Sequence, residues 1–401
     1  MCVRKSGLES THAPKRARLF IFLESLMPVT PHLLQLGLLS MFLVQATARA
    51  APLYSVKNLG TLGGDSGDVR AINNSGAVVG YALNSNNISS AYISRDGAMH
   101  SLSPDRSTRS YASGINDAGV AAGQVQSSSG ESQAVIFSGG KIDAIGSLGG
   151  RNSDAKGINN AGQVGGSADR ADGTQAAFRY TPGGQMRDLG TLGGSNSHGA
   201  DINNSGVVVG RADLANGQYH AFRSDDSGMH DLGTLGGSYS EANRINERGA
   251  VAGFSYMAGD ASTHAFIFDN GIMNDLNTLG GANSISYGIN HAGHAVGSSD
   301  IAGGKAVHAF LYADGSMRDL NDLVGPGFGW TLNYAADIND LGQITAHGCN
   351  TSGLCRGFLL TPDGDVGKVD EPGTPAILAL GAGMMLLGMG RARRVRALRQ
   401  N

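Results

Sequence analysis

The chain is 401 residues long, with 62 Gly, 41% apolar residues and only 16% charged ones, so it is dense in turns. Val, Ile, Leu, Phe and Ala nevertheless return at fixed places, which excludes a disordered chain. The formal charge of −3 hides a split: residues 51–366 carry 18 Lys and Arg against 29 Asp and Glu, while both ends are basic. So acidic a middle excludes nucleic acid as a partner, because phosphates need clustered cations.

At the N-terminus, Lys15, Arg16 and Arg18 precede an apolar run from Leu33 to Val44, and Ala48 and Ala50 supply the two small residues that a signal peptidase reads. Residues 1–50 are therefore predicted to be a signal peptide cut by the export machinery near Ala50/Ala51. Met27 is an alternative start, and a permanent transmembrane anchor is the alternative reading.

From residue 51 the chain repeats. Ile72, Ile115, Ile158, Ile202, Ile245, Ile289 and Ile338 are each followed by Asn, at steps of 43, 43, 44, 43, 44 and 49 residues. A period of about 40 to 45 residues is propeller-blade length. Within the unit around Ile202 the pattern predicts four strands, Ser197–Ile202, Val207–Val209, His220–Arg223 and Met229–Leu232. The Asn203-Asn204-Ser205-Gly206 turn joins the first two: Asn bonds the backbone two residues on, and Gly accepts a positive φ.

Small residues stand three before most of the Ile positions, as at Ala112, Ala155, Gly199 and Ala242, which is read as relief of crowding where first strands converge on an axis. Gly80, Gly123, Gly166, Gly210, Gly253 and Gly297 recur on the second strand, where a missing side chain permits close approach of backbone.

The two ends of the repeat region complete each other. The seventh unit lacks an M-x-D-L strand, whereas Tyr54–Leu59 and the following Gly-Thr-Leu-Gly-Gly form a fourth strand and linker with nothing before them. The expected fold is all-β: over residues 51–366, a seven-bladed propeller of four-stranded antiparallel blades whose last blade is closed by the N-terminal strand, flanked by apolar signal and tail helices. A linear solenoid is the competing architecture, but it calls for polar caps at its ends.

Cys349 and Cys355 flank the loop between the second and third strands of the last unit and are expected to form a disulfide in an exported chain. Beyond the repeats, residues 367–374 form a linker, followed over 375–401 by an uncharged run from Pro375 to Gly390 and then five arginines. The run is short for a span, and the arginines hold that end cytoplasmic.

The tail Val369-Asp370-Glu371-Pro372, apolar run and Arg cluster resembles the PEP-CTERM sorting signal of Gram-negative bacteria, with Val369, Glu371 and Pro372 as the matching motif and Asp370 in place of its usual first Pro. The resemblance implies an exosortase as partner, transient inner-membrane anchoring before processing, and an extracellular or cell-surface destination. A plain C-terminal anchor is the alternative. The repeats resemble the HAF-repeat family of extracellular bacterial proteins, on His220-Ala221-Phe222, His264-Ala265-Phe266, His308-Ala309-Phe310 and the Gly-Thr-Leu-Gly-Gly linkers. That family implies no activity.

The repeated His residues sit too far apart, blade to blade, to share a metal ion, and are read as imidazoles satisfied between blades. Asp188, Asp231, Asp275 and Asp319 recur likewise, and a residue present in blade after blade is scaffold. Asp337–Gly342 departs from the acidic spacing of a calcium loop. With no nucleophile elbow, phosphate loop or paired-carboxylate motif outside the repeats, no cofactor or metal is expected.

Function is then sought on the irregular loops between second and third strands, with Asp172, Asp213, Tyr219, Tyr256 and Asp260 as the candidate binding rim. The expectation is a non-enzymatic binding or scaffold protein of the envelope or extracellular matrix, with an exopolysaccharide or a surface protein as ligand. The alternative is a polysaccharide lyase or hydrolase with its site at the channel mouth.

Overall fold

The computed structural model describes residues 53–103, 105 and 107–364. The signal segment with Ala48 and Ala50, the motif Val369, Glu371 and Pro372, and the expected flanking helices lie outside the described residues. Among the described residues, no helix is long and apolar enough to cross a membrane.

Seven four-stranded antiparallel sheets make up the described chain. Six run in sequence order; the seventh is ordered so that Tyr54–Asn58 pairs with Cys355–Pro362, in register from Tyr54↔Pro362 to Asn58↔Phe358. The ring is thus closed by the expected strand. Blade four shows how the sequence builds a sheet: Gly193–Ile202, Val208–Leu214, Tyr219–Asp225 and Gly228–Asp231 follow one another as a meander. Its first strand is longer than expected because the linker glycines Gly193 and Gly194 already belong to it.

At the first turn, the Asn203 Oδ1 accepts the Ser205 and Val207 N–H groups, both at 3.1 Å, and Gly206 sits at φ 75°. A Cβ on Gly210 would overlap the His198 carbonyl oxygen, so the recurrent second-strand glycine admits the first strand's own backbone. That first strand also changes register between Gly199 and Asp201, a bulge that re-aims the residues beyond it.

The small residues three before each Ile serve the packing between blades, although Ala112 and Gly199 also line the channel. Ala112 packs with Ala71 and Ala91 of the preceding blade, Ala155 with Ala122 and Ala134, and Ala242 with Val209 and Ala221, all buried. They let adjacent sheets approach. Phe178, Phe222, Phe266 and Phe310, all fully buried, fill the remaining inter-blade space from the third strands.

The sixth step of 49 residues is explained by a one-turn α-helix, Leu320–Leu323, in place of the usual linker. Asp319 caps it by accepting the Asn321 N–H. Cys349 and Cys355 face each other across the second and third strands of blade seven and are joined as a disulfide.

Candidate functional site in the propeller channel

The seven first strands surround the channel, and each ends in an Ile-Asn turn. At that end Asn73, Asn116, Asn159, Asn203, Asn246, Asn290 and Asn339 each donate an Nδ2–H to the carbonyl of the equivalent Asn in the next blade, at 2.9 to 3.3 Å. The last bond, Asn339 to Asn73, closes the circle. One residue further on, backbone N–H groups bond the next blade's side chain, as from Asn74 to Asp117 and from Asp340 to Asn74. This double ring encloses a narrow mouth of about 160 Å³.

Just inside the ring stands the residue before each Ile. Blades one, two, three and six carry Ala71, Gly114, Gly157 and Gly288; blades four, five and seven carry Asp201, Arg244 and Asp337. The Arg244 guanidinium lies 3.2 Å from Asp337 and 3.8 Å from Asp201, and donates to the Arg70 carbonyl oxygen at 3.1 Å. Blade five thereby bonds blade one across the axis. Each carboxylate also accepts a backbone N–H of the following blade, Ile245 on Asp201 and Ile72 on Asp337. Burial pushes the Asp201 carboxyl up to about 6 against the pull of Arg244, and raises Asp337 likewise.

Beyond this septum, toward the end that bears the linkers and the second-to-third-strand loops, the channel widens into a cavity of about 640 Å³. That volume suits a small molecule or a short polymer segment. Its lining comes mostly from positions two and four before each Ile and from second-strand residues, and the charged residues there differ from blade to blade. Tyr81 and Tyr111 meet edge to face at 5.0 Å on blades one and two; Tyr287 and Tyr334 do so at 6.1 Å on blades six and seven. Lys156, His198, Arg211, Glu241 and Asn243 line the side formed by blades three to five. The cavity is thus polar along blades three to five and aromatic opposite, with Arg70 lying 5.5 Å over the Tyr81 ring on that side.

Three ion pairs stand in the wall: Arg70–Asp68 at 3.2 Å, Lys156–Asp154 at 2.5 Å and Arg211–Glu241 at 3.1 Å. The Tyr334 hydroxyl donates to Asp68, and burial and that carboxylate raise its pKa. Burial and the nearby Arg211 lower the pKa of His198. Burial raises the Glu241 carboxyl despite Arg211.

The expected rim divides in two. Tyr219 and Tyr256 are joined through Tyr239, at 4.8 and 5.4 Å between ring centroids, and Arg211 lies 4.9 Å over the Tyr219 ring. Arg211 also lines the cavity, so these tyrosines are continuous with it. The three acids serve their loops instead: Asp172 accepts the Thr174 N–H and hydroxyl, Asp213 the Asn196 N–H and Nδ2–H, and Asp260, at φ 57°, the Ser238 N–H.

The HAF histidines are satisfied within their own blades, not between blades. His220, His264 and His308 each meet the Asp of the adjacent fourth strand, Asp231, Asp275 and Asp319, at 2.6 to 2.9 Å. In blade three, where Ala176 replaces His, Arg170 reaches Asp188 at 2.6 Å. The same carboxylates cap the linkers, as Asp231 does for the Gly233 N–H.

No protein-family model and no curated protein matches the sequence. Solved propellers match the fold. A Mycobacterium tuberculosis puromycin-hydrolyzing peptidase is 10% identical at a TM-score of 0.50, over 73% of this chain and 52% of that one. TolB from Acinetobacter baumannii is 14% identical at 0.41, over 71% of this chain and 63% of that one. The β-propeller domain of the Trilobed protease from Pyrococcus furiosus is 11% identical at 0.45, over 75% and 94%. This chain therefore spans less than two thirds of the first two, and the likeness speaks for the fold alone.

Proposed function

We propose that this chain is a non-enzymatic, exported propeller of the HAF-repeat kind, sorted by a PEP-CTERM-like tail, that binds an extracellular polysaccharide at the wide mouth of its channel. The observation that carries the reading is the 640 Å³ cavity, walled by four tyrosines on one side and by non-repeating charged and polar groups on the other. Tyrosine faces suit the C–H surface of a sugar ring, and fixed charged groups suit its hydroxyls. The export part rests on the leader and tail of the sequence.

Binding is favoured over hydrolysis because the carboxylates at the cavity, Glu241 in its lining and Asp68 and Asp154 beside it, are each held in an ion pair. Glycosidases ordinarily use a pair that flanks the scissile bond. The test is a glycan array probed with the full-length exported chain, alongside a pull-down from the culture surface. Binding to glycans that is lost in Tyr287→Ala supports the reading. Silence on every glycan with recovery of a protein partner overturns it, and turnover of a bound glycan would replace it with the enzyme.

A further inference from the structure

The three ion pairs of the cavity wall are built asymmetrically. Arg70 is 48% exposed against 13% for Asp68, Lys156 43% against 23% for Asp154, and Arg211 34% against 24% for Glu241. Arg70 and Lys156 line the cavity while their partners Asp68 and Asp154 do not; Arg211 and Glu241 both line it. Arg70, Lys156 and Arg211, from blades one, three and four, therefore line one volume, although residues 51–366 as a whole are acidic. The lining holds these three cations and Arg244 against one acid, Glu241, and an excess of one sign of charge in a cleft focuses its field on the space enclosed.

The floor adds a second restriction. Arg244, bonded across the axis to Arg70 and flanked by Asp201 and Asp337, separates the wide cavity from the narrow mouth, and it lines both. With Arg244 in this position a polymer meets its side chain before the narrow mouth, which favours entry by an end.

From these two features we propose that the channel takes the acidic end of a polysaccharide, a terminal sugar bearing a carboxylate, with the following units leaving over Arg211 onto Tyr219, Tyr239 and Tyr256. This rests on the polysaccharide reading above and names its ligand class. The ligand carboxylate meets the cationic heads in charge-assisted hydrogen bonds, while its ring lies against the tyrosine wall. The acid paired with each cation holds it in place before a ligand arrives.

The experiment is titration calorimetry of the full-length chain with short oligogalacturonates and oligoglucuronates. Each is compared with its carboxyl-reduced form and with an oligosaccharide whose acids are internal and whose terminal sugar is neutral. Loss of the terminal carboxylate is expected to weaken binding about tenfold or more, as is Lys156→Gln, whose Nζ reaches Asp154 at the cavity wall. The affinity should also fall as salt rises. Replacing Asp201, Arg244 and Asp337 together by the Gly that blades two, three and six carry should let internal acids bind as well as terminal ones. If that triple variant does not fold, the comparison of terminal with internal acids in the unaltered chain decides. Equal affinity for acidic and carboxyl-reduced ends, or for terminal and internal acids, overturns this inference while leaving polysaccharide binding standing. Failure to bind any glycan overturns both.

Discussion

The Nη2 of Arg244 on blade five reaches the carbonyl oxygen of Arg70 on blade one at 3.1 Å, across the axis of the ring. Six of the seven-fold positions around the axis hold Ala, Gly or Asp, so one long side chain has room to lie over the channel. The wide cavity has a floor because Arg244, flanked by Asp201 and Asp337, departs from the repeat.

Protonation at this floor should be visible in stability. The Asp201 carboxyl is raised to about 6 in the folded chain from an ordinary value of 3.8, by burial first and with Asp337 adding to the rise. Between those values the folded chain holds a proton that the unfolded chain has released, so stability falls as pH rises from about 4 to 6. Asp201→Asn removes this titration. The difference in unfolding free energy between the parent and Asp201→Asn, followed by urea melts across that range, should therefore move against the parent as pH rises; a flat difference would contradict it.

Closure by the N-terminal strand is a stability claim. Tyr54 is 2% exposed, and burial pushes its hydroxyl up to about 12. Deleting Tyr54–Asn58 removes this side chain and the whole ladder to Cys355–Pro362, leaving an open edge. A fall in melting temperature of about 10 °C or more is expected, with light scattering showing association through the edge. An unchanged melt would mean that the ring does not depend on that strand.

The circle of asparagines separates buried from exposed roles. Asn203 is buried and links its own turn to the next blade through the Asn246 carbonyl, so Asn203→Ala should cost about 3 kcal/mol by leaving several backbone groups without partners. Asn204 is exposed and accepts only the Asn160 N–H, and Asn204→Ala should cost less than about 1 kcal/mol. Chemical denaturation of the two variants side by side checks the ordering.

Glycine tolerance should follow position. In Gly210→Ala the new methyl overlaps the His198 carbonyl, and a loss of about 2 to 3 kcal/mol is expected. At Gly217, with φ +84° and nothing within 4 Å of a built Cβ, alanine meets only backbone strain of about 1 kcal/mol. Thermal melts of both report the difference.

Much of the scaffold was legible in the residues. The Ile-Asn step predicted seven blades, and the unmatched ends predicted the closing strand, because turn chemistry and strand alternation are local and repeat with the unit. The pairing of Cys349 with Cys355 was equally local, lying across one hairpin. The channel was less so. Asp201, Arg244 and Asp337 each break a small-residue position in front of Ile, a signal readable by aligning the units, yet attention to what repeats passes over them. Tyr239 belongs to a first strand, and only blade packing brings its ring between Tyr219 and Tyr256.

By itself the sequence determined the count of blades, their strand order, the turns between them and the way the ring closes. Each follows from groups a few residues apart or from one period repeated. Only the tertiary structure decided what the channel is: which small residues pack between blades, which histidines meet which acids, and how Arg70, Lys156, Arg211 and Arg244 come to share one volume. Those residues stand on four different blades, far apart along the chain, and their meeting depends on the curvature that brings seven first strands around a single axis.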